Sequence, residues 1–212
     1  MKLSQKLLLV FIFSLTMAYL ESAVVVYLRE LYYPDGFTFP IKLIPEKIIF
    51  IELGRELATI VMLFSVAMIS GKLLVERTAY FLFAFGVWDI FYYLWLKVFI
   101  NWPESLLTDD LLFLIPVPWI SPVLAPVLVS ITFISFSVLA LNKIQSGIHI
   151  KANKISLVMV TTGVVFILTS FMWNYEKRIN SVSPVEFLWA VFLIGLLLIS
   201  VGFLKTIITD KK

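Results

Sequence analysis

Six apolar runs reach the length needed to cross a bilayer: Leu7 to Leu31, Pro45 to Ser70, Thr78 to Ile100, Leu111 to Leu141, Ile155 to Trp173 and Pro184 to Ile208. About 20 apolar residues in a helix span the hydrocarbon core. The pattern therefore predicts an all-α fold, a polytopic transmembrane helix bundle with six spanning helices in a single integral membrane domain over residues 1–212. The fourth run is too long for one straight span and contains Pro116, Pro118, Pro122 and Pro126. Each proline inside a helix removes a donor and frees a carbonyl. A Pro-broken fourth segment is expected, kinked between Pro116 and Pro126, with its first part a short re-entrant or interfacial piece.

Turn and capping residues agree with these limits. Ser183, Pro184 and Glu186 have capping-box spacing and are expected to open the last helix. Thr108, Asp109 and Asp110 are expected to cap the fourth segment, where a helix dipole favours negative charge. Pro34-Asp35-Gly36, flanked by aromatic residues, predicts a turn or small lid over the bundle mouth.

Composition narrows the class. With 61% hydrophobic residues, 15% charged and a mean hydropathy of +1.00, the chain lies outside the range of soluble domains. The start, Lys2 and Lys6 before Leu7 to Leu20, has the form of a secretory signal with a cleavage site near Ser22 and Ala23. The run resumes after Glu21 through Leu28, so an uncleaved anchor is expected. There is no cysteine and one histidine, His149, in a polar connection, which removes disulfides, thiolate metal sites, cysteine nucleophiles and imidazole chemistry from consideration. The net charge of +3 comes from scattered basic residues, and no nucleic-acid partner is expected. With the N-terminus in the cytoplasm, ten basic residues fall on inner connections and six on outer ones, with Arg55 left inside the membrane. The positive-inside rule then places both termini in the cytoplasm of a plasma or inner membrane protein.

The chemistry lies in the spans. Glu21 is in the first, Glu52, Arg55 and Glu56 are in the second and Asp89 is in the third. A charge near the bilayer centre costs about 2.5 to 3.5 kcal/mol on insertion scales, so such residues face the bundle interior and mark a site. At a rise of 1.5 Å per residue, Glu21, Glu56 and Asp89 all fall about 15 Å below the outer ends of their helices. Glu52 and Glu56 share a face at i and i+4, Arg55 reaches Glu52 at i+3, and Thr59 continues the stripe. These five residues are expected to converge in the outer half of the bilayer, with Arg55 orienting Glu52 or Glu56.

Four carboxylates against one arginine leave a deficit that protonation, water or a bound cation must meet. Arg29 and Lys97, each eight residues beyond an acid on the same face, are expected to compensate Glu21 and Asp89 in part. Tyr92 and Tyr93, at i+3 and i+4 from Asp89, are expected to hold its carboxylate through a hydroxyl, and Asp109 and Asp110 are expected as outer members of the site. Trp88 and Trp95 form an aromatic stripe suited to an organic cation, although Trp95 and Trp102 read more simply as core packing or an interfacial belt.

Three functions fit. The first is binding or transport of a cation, a proton or a small cationic ligand. The absence of an internal repeat argues against large rocking motions. The second is an intramembrane enzyme acting on a lipid or isoprenoid, with an acid pair as general acid and base or an oxygen-only site for Mg²⁺ or Mn²⁺. No cofactor is required by the sequence. The third is a structural ion-pair network in a subunit of a membrane complex with a protein partner.

Overall fold

The structure is a computed structural model that describes residues 2–42, 44–180 and 185–208. Helices account for 74% of the described residues, so the all-α expectation holds with one exception, a two-stranded hairpin. The elements are α1 (Leu3–Tyr32), α2 (Glu46–Ser70), α3 (Leu74–Ile100), β1 (Asp109–Phe113), β2 (Trp119–Pro122), α4 (Leu124–Gln145), α5 (Lys154–Met172), α6 (Tyr175–Asn180) and α7 (Trp189–Ile208). The end at which α1 and α3 finish and α2 begins is here the upper end.

Among the described residues five helical stretches are long and apolar enough to cross a membrane: Leu3–Tyr32, Leu74–Ile100, Leu124–Gln145, Lys154–Asn180 and Trp189–Ile208. The helix α2 has 25 residues, but Glu46, Lys47, Glu52, Arg55 and Glu56 crowd its first half. Large apolar side chains such as Phe50, Ile69, Val98 and Leu197 are exposed on the outside, an arrangement that suits hydrocarbon as solvent.

The fourth apolar run is not a proline-broken helix. Its first part forms β1 and β2, paired antiparallel with Asp109 opposite Pro122 and Leu111 opposite Ile120. Pro116 and Pro118 lie between the strands and Pro122 ends β2, where a missing N–H disrupts no helical bond. Only Pro126 is helical, in the first turn of α4, where helix N–H groups have no intrahelical acceptor anyway. The helix α7 begins at Trp189, five residues past the expected start; Ser183 and Pro184 of the expected capping box lie outside the described residues.

Two subassemblies make up the bundle. The first is α1, α2 and α3 with α4, whose core includes Val10, Ala18, Leu63, Ala84 and Val87. On α2 the buried residues are Glu56, Thr59, Leu63 and Ala67, a single stripe at helical spacing that sets which face meets its neighbours. The second is the tight pair α5 and α7, where a Cβ on Gly163 would lie 2.6 Å from the Gly195 carbonyl oxygen and one on Gly195 2.8 Å from that of Gly163. Only glycine lets the two backbones approach so closely.

Candidate functional site

The buried stripe of α2 carries Glu56 and Thr59 into the bundle and brings Arg55 and Glu52 along its edge. The Arg55 guanidinium donates to Glu52 Oε2 from Nε at 2.9 Å and from Nη2 at 2.7 Å. Its Nη1 pairs with Glu21 Oε2 on α1. The Thr59 hydroxyl lies 3.0 Å from the Arg55 carbonyl oxygen and also donates to Glu21 Oε1. One arginine thus serves two carboxylates from two helices, and Glu21, 4% exposed, has both oxygens engaged. Such pairing offsets the cost of taking the ions out of water.

Glu56 meets the hairpin. The backbone N–H of Leu114, just past β1, points at its carboxylate, with N–O distances of 3.0 and 3.1 Å to the two oxygens. Asp89 meets α4: the Ser130 hydroxyl donates to Asp89 Oδ2 at 2.8 Å. Gly86, one turn before Asp89, makes this contact feasible, because a Cβ there would stand 2.7 Å from the Ser130 carbonyl oxygen and hold α4 away.

All five charged residues line a single cavity of about 670 Å³. Its walls differ in chemistry. Glu21, Glu52, Arg55 and Glu56 stand on the α1 and α2 side, whereas Val164, Ile167, Leu168 and Phe171 of α5 form an apolar wall. Both α2 and α5 border this space, and their close packing is with other elements, α2 with α1 and α3, α5 with α7. The lining holds five carboxylates (Glu21, Glu52, Glu56, Asp89, Asp110) against three cations (Arg29, Lys42, Arg55), so full ionisation would leave it negative.

Several sequence expectations need correction. Neither Arg29 nor Lys97 compensates the acid on its own helix. Arg29 Nη2 pairs with Asp110 at 3.2 Å while its guanidinium sits 3.8 Å from the Trp102 ring centre and 4.6 Å from that of Phe37. Lys97 Nζ donates to the carbonyl oxygens of Asn101 and Pro103 at 3.2 and 2.9 Å. Asp109 and Asp110 cap no helix, because they belong to β1 and each meets an arginine. Asp110 lines the cavity; Asp109 instead holds Arg178 Nη2 at 2.8 Å, whose Nη1 also donates to Ile120 O at 3.0 Å. Tyr92 and Tyr93 line the cavity, but Ser130 supplies the hydrogen bond to Asp89. Arg55 orients Glu52 as expected from their spacing, and its second carboxylate is Glu21 rather than Glu56.

Ser130, the Leu114 amide and Arg178 escaped sequence reasoning. Their roles depend on partners 41, 58 and 69 positions away. The Pro34-Asp35-Gly36 turn does form, with Gly36 at φ 103° and its N–H donating to Tyr33 O at 2.9 Å. It carries Phe37 onto Trp102 and Arg29 at the upper rim.

Chemically, the cavity has carboxylate acceptors beside an apolar wall. Among the described residues no group of three or more His, Cys, Asp or Glu side chains is arranged to hold a metal ion. No protein-family model, curated protein or solved structure matches the chain. Its class follows from its own helices, and it is a multi-pass membrane protein.

Proposed function

We propose that the cavity binds a small cationic ligand with an apolar body. The observation that carries this reading is the excess of carboxylates over cations in a space otherwise lined by apolar side chains. Such a lining selects charge at one end of a ligand and hydrocarbon at the other. Glu56 and Asp89 are assigned to the ligand. Each accepts one hydrogen-bond donor in the structure and keeps further lone pairs. Glu21, Glu52, Arg55 and Thr59 form the network that fixes α2 against α1, and that mutual pairing is what favours a structural role for this part of the cluster.

In the proposed orientation the chain spans the plasma or inner membrane six times, with α2 as the sixth span and both termini cytoplasmic. The cavity then faces the outer half of the bilayer. The unequal distribution of basic residues supports this. A C-terminal reporter active only outside the cell would reverse it.

Tetraphenylphosphonium is the probe, with tetraphenylborate as an anion of the same shape. The expected result is saturable binding of the cation alone by the purified protein, weakened about tenfold or more by Glu56→Gln or Asp89→Asn, since an opposite charge about 6 Å away at an effective dielectric constant of about 20 is worth roughly 3 kcal/mol. Equal binding of both probes would overturn the proposal. An intramembrane enzyme using the same cavity would show turnover of a lipid or isoprenoid instead of simple retention.

A further inference from the structure

The lower end of the bundle holds a second cavity of about 360 Å³ between α3, α4, α5 and α7. Its lining is apolar apart from a few hydroxyls, and two of these are unusual. Ser137 and Ser156 are 2% and 1% exposed, and neither Oγ has a hydrogen-bond partner. A mid-helix serine such as Ser137 ordinarily turns its hydroxyl onto the carbonyl four residues back. Ser14, Ser22 and Ser65 do so here. Ser156, in the first turn of α5, has no helical residue four back. A buried hydroxyl without a partner is costly, so two that line one cavity point to an acceptor bound between them.

The rim indicates the charge of an occupant. Lys72 and Arg77 flank the lining residues Leu74 and Val75, and Lys151 and Lys154 flank Ala152. Lys72 and Lys154 are exposed, and the four ion pairs among the described residues join Arg29, Arg55 or Arg178 to acids elsewhere. Among the described residues Glu76 is the single acid on this rim, and its carboxylate is occupied in accepting from the Lys72 backbone N–H at 2.6 Å. The end is therefore basic around an apolar slot with two orphan donors.

We infer that this cavity is a binding site for an anionic phospholipid of the adjoining leaflet. An acyl chain fills the slot, an ester carbonyl accepts from Ser137 or Ser156, and the headgroup phosphate sits on Lys72 and Lys154. Basic pockets between helices at a membrane surface recognise anionic headgroups by this combination of charge and fit. The site lies apart from the carboxylate cavity and does not depend on what that cavity binds.

The test uses native mass spectrometry of the delipidated full chain mixed with dioleoylphosphatidylglycerol or dioleoylphosphatidylcholine. The anionic lipid should be retained about 25-fold more strongly, since each of the two lysines near a headgroup is worth about fivefold. The double variant Lys72→Glu and Lys154→Glu should abolish that preference. Filling the slot, with Ser137→Leu or with Thr78→Trp at its exposed rim, should reduce retention of both lipids. Excess inorganic phosphate should leave the lipid bound. Equal retention of the two lipids by the unaltered protein, a preference that survives the charge reversal, retention unchanged by both filled variants, or displacement by phosphate alone would each overturn the assignment.

Discussion

The helices α1, α2 and α3 are tied by charges and hydroxyls, whereas α5 and α7 meet through glycines. In the first group Arg55 bridges Glu21 and Glu52 while Thr59 closes on Glu21. In the second, Gly163 and Gly195 bring the two backbones together, with Phe166, Ile167 and Ile199 as the nearest side chains. Helices in a membrane gain little from hiding apolar surface, because lipid is equally apolar, so association rests on close packing or on polar contacts. Glycine packing gives a dry seam. Polar pairing leaves groups that can exchange partners, and the large cavity lies between the two assemblies.

The contrast is most exposed at Arg55. Replacing it by leucine leaves Glu21 buried without a counter-ion, and the expected loss is about 3 to 5 kcal/mol, read as a lower unfolding temperature in detergent by tryptophan fluorescence. Adding Glu21→Gln to that variant should recover part of the loss. A double variant no more stable than Arg55→Leu would show that charge does not hold α1 to α2.

At the glycine seam a branched side chain has no room. Gly163→Val would drive its Cβ toward the Gly195 carbonyl and Ile199, and about 1 to 3 kcal/mol should be lost in the same melt. An unchanged midpoint would mean that α5 and α7 tolerate separation, and the comparison would collapse.

The smallest effect is expected at the hairpin. Asp109 is half-exposed while its partner Arg178 is buried, and Asn keeps an acceptor beside a guanidinium that the Ile120 carbonyl also serves, so Asp109→Asn should cost about 1 kcal/mol. Because the carboxylate reaches water, added salt should reduce its effect. A larger cost, insensitive to salt, would place this pair among the buried ones.

Hydropathy located α1, α2, α3, α5 and α7 to within a few residues because a run of about 20 apolar residues is a local property that needs no partner. The hairpin was hidden for the opposite reason. Leu111 to Phe113 reads as apolar in any conformation, and a strand is defined only by the segment it pairs with. Helical spacing likewise revealed Glu52 beside Arg55, since i and i+3 are neighbours within one helix. It gave no hint that Glu21 would take the other side of the guanidinium or that Asp110 would take Arg29, contacts that cross 81 positions in the latter case.

The Glu21 pairing also sets an order of biogenesis. When α1 leaves the ribosome it carries a carboxylate at bilayer depth whose hydroxyl donor, Thr59, is 38 positions behind it, with Arg55 in the same helix as Thr59. Alone in lipid, that segment would carry a costly unpaired polar group and would tilt it toward water or wait at the insertion machinery. In the proposed six-span orientation the first helix is expected to settle as half of a helical hairpin with α2, whose Arg55 answers the charge that α1 carries.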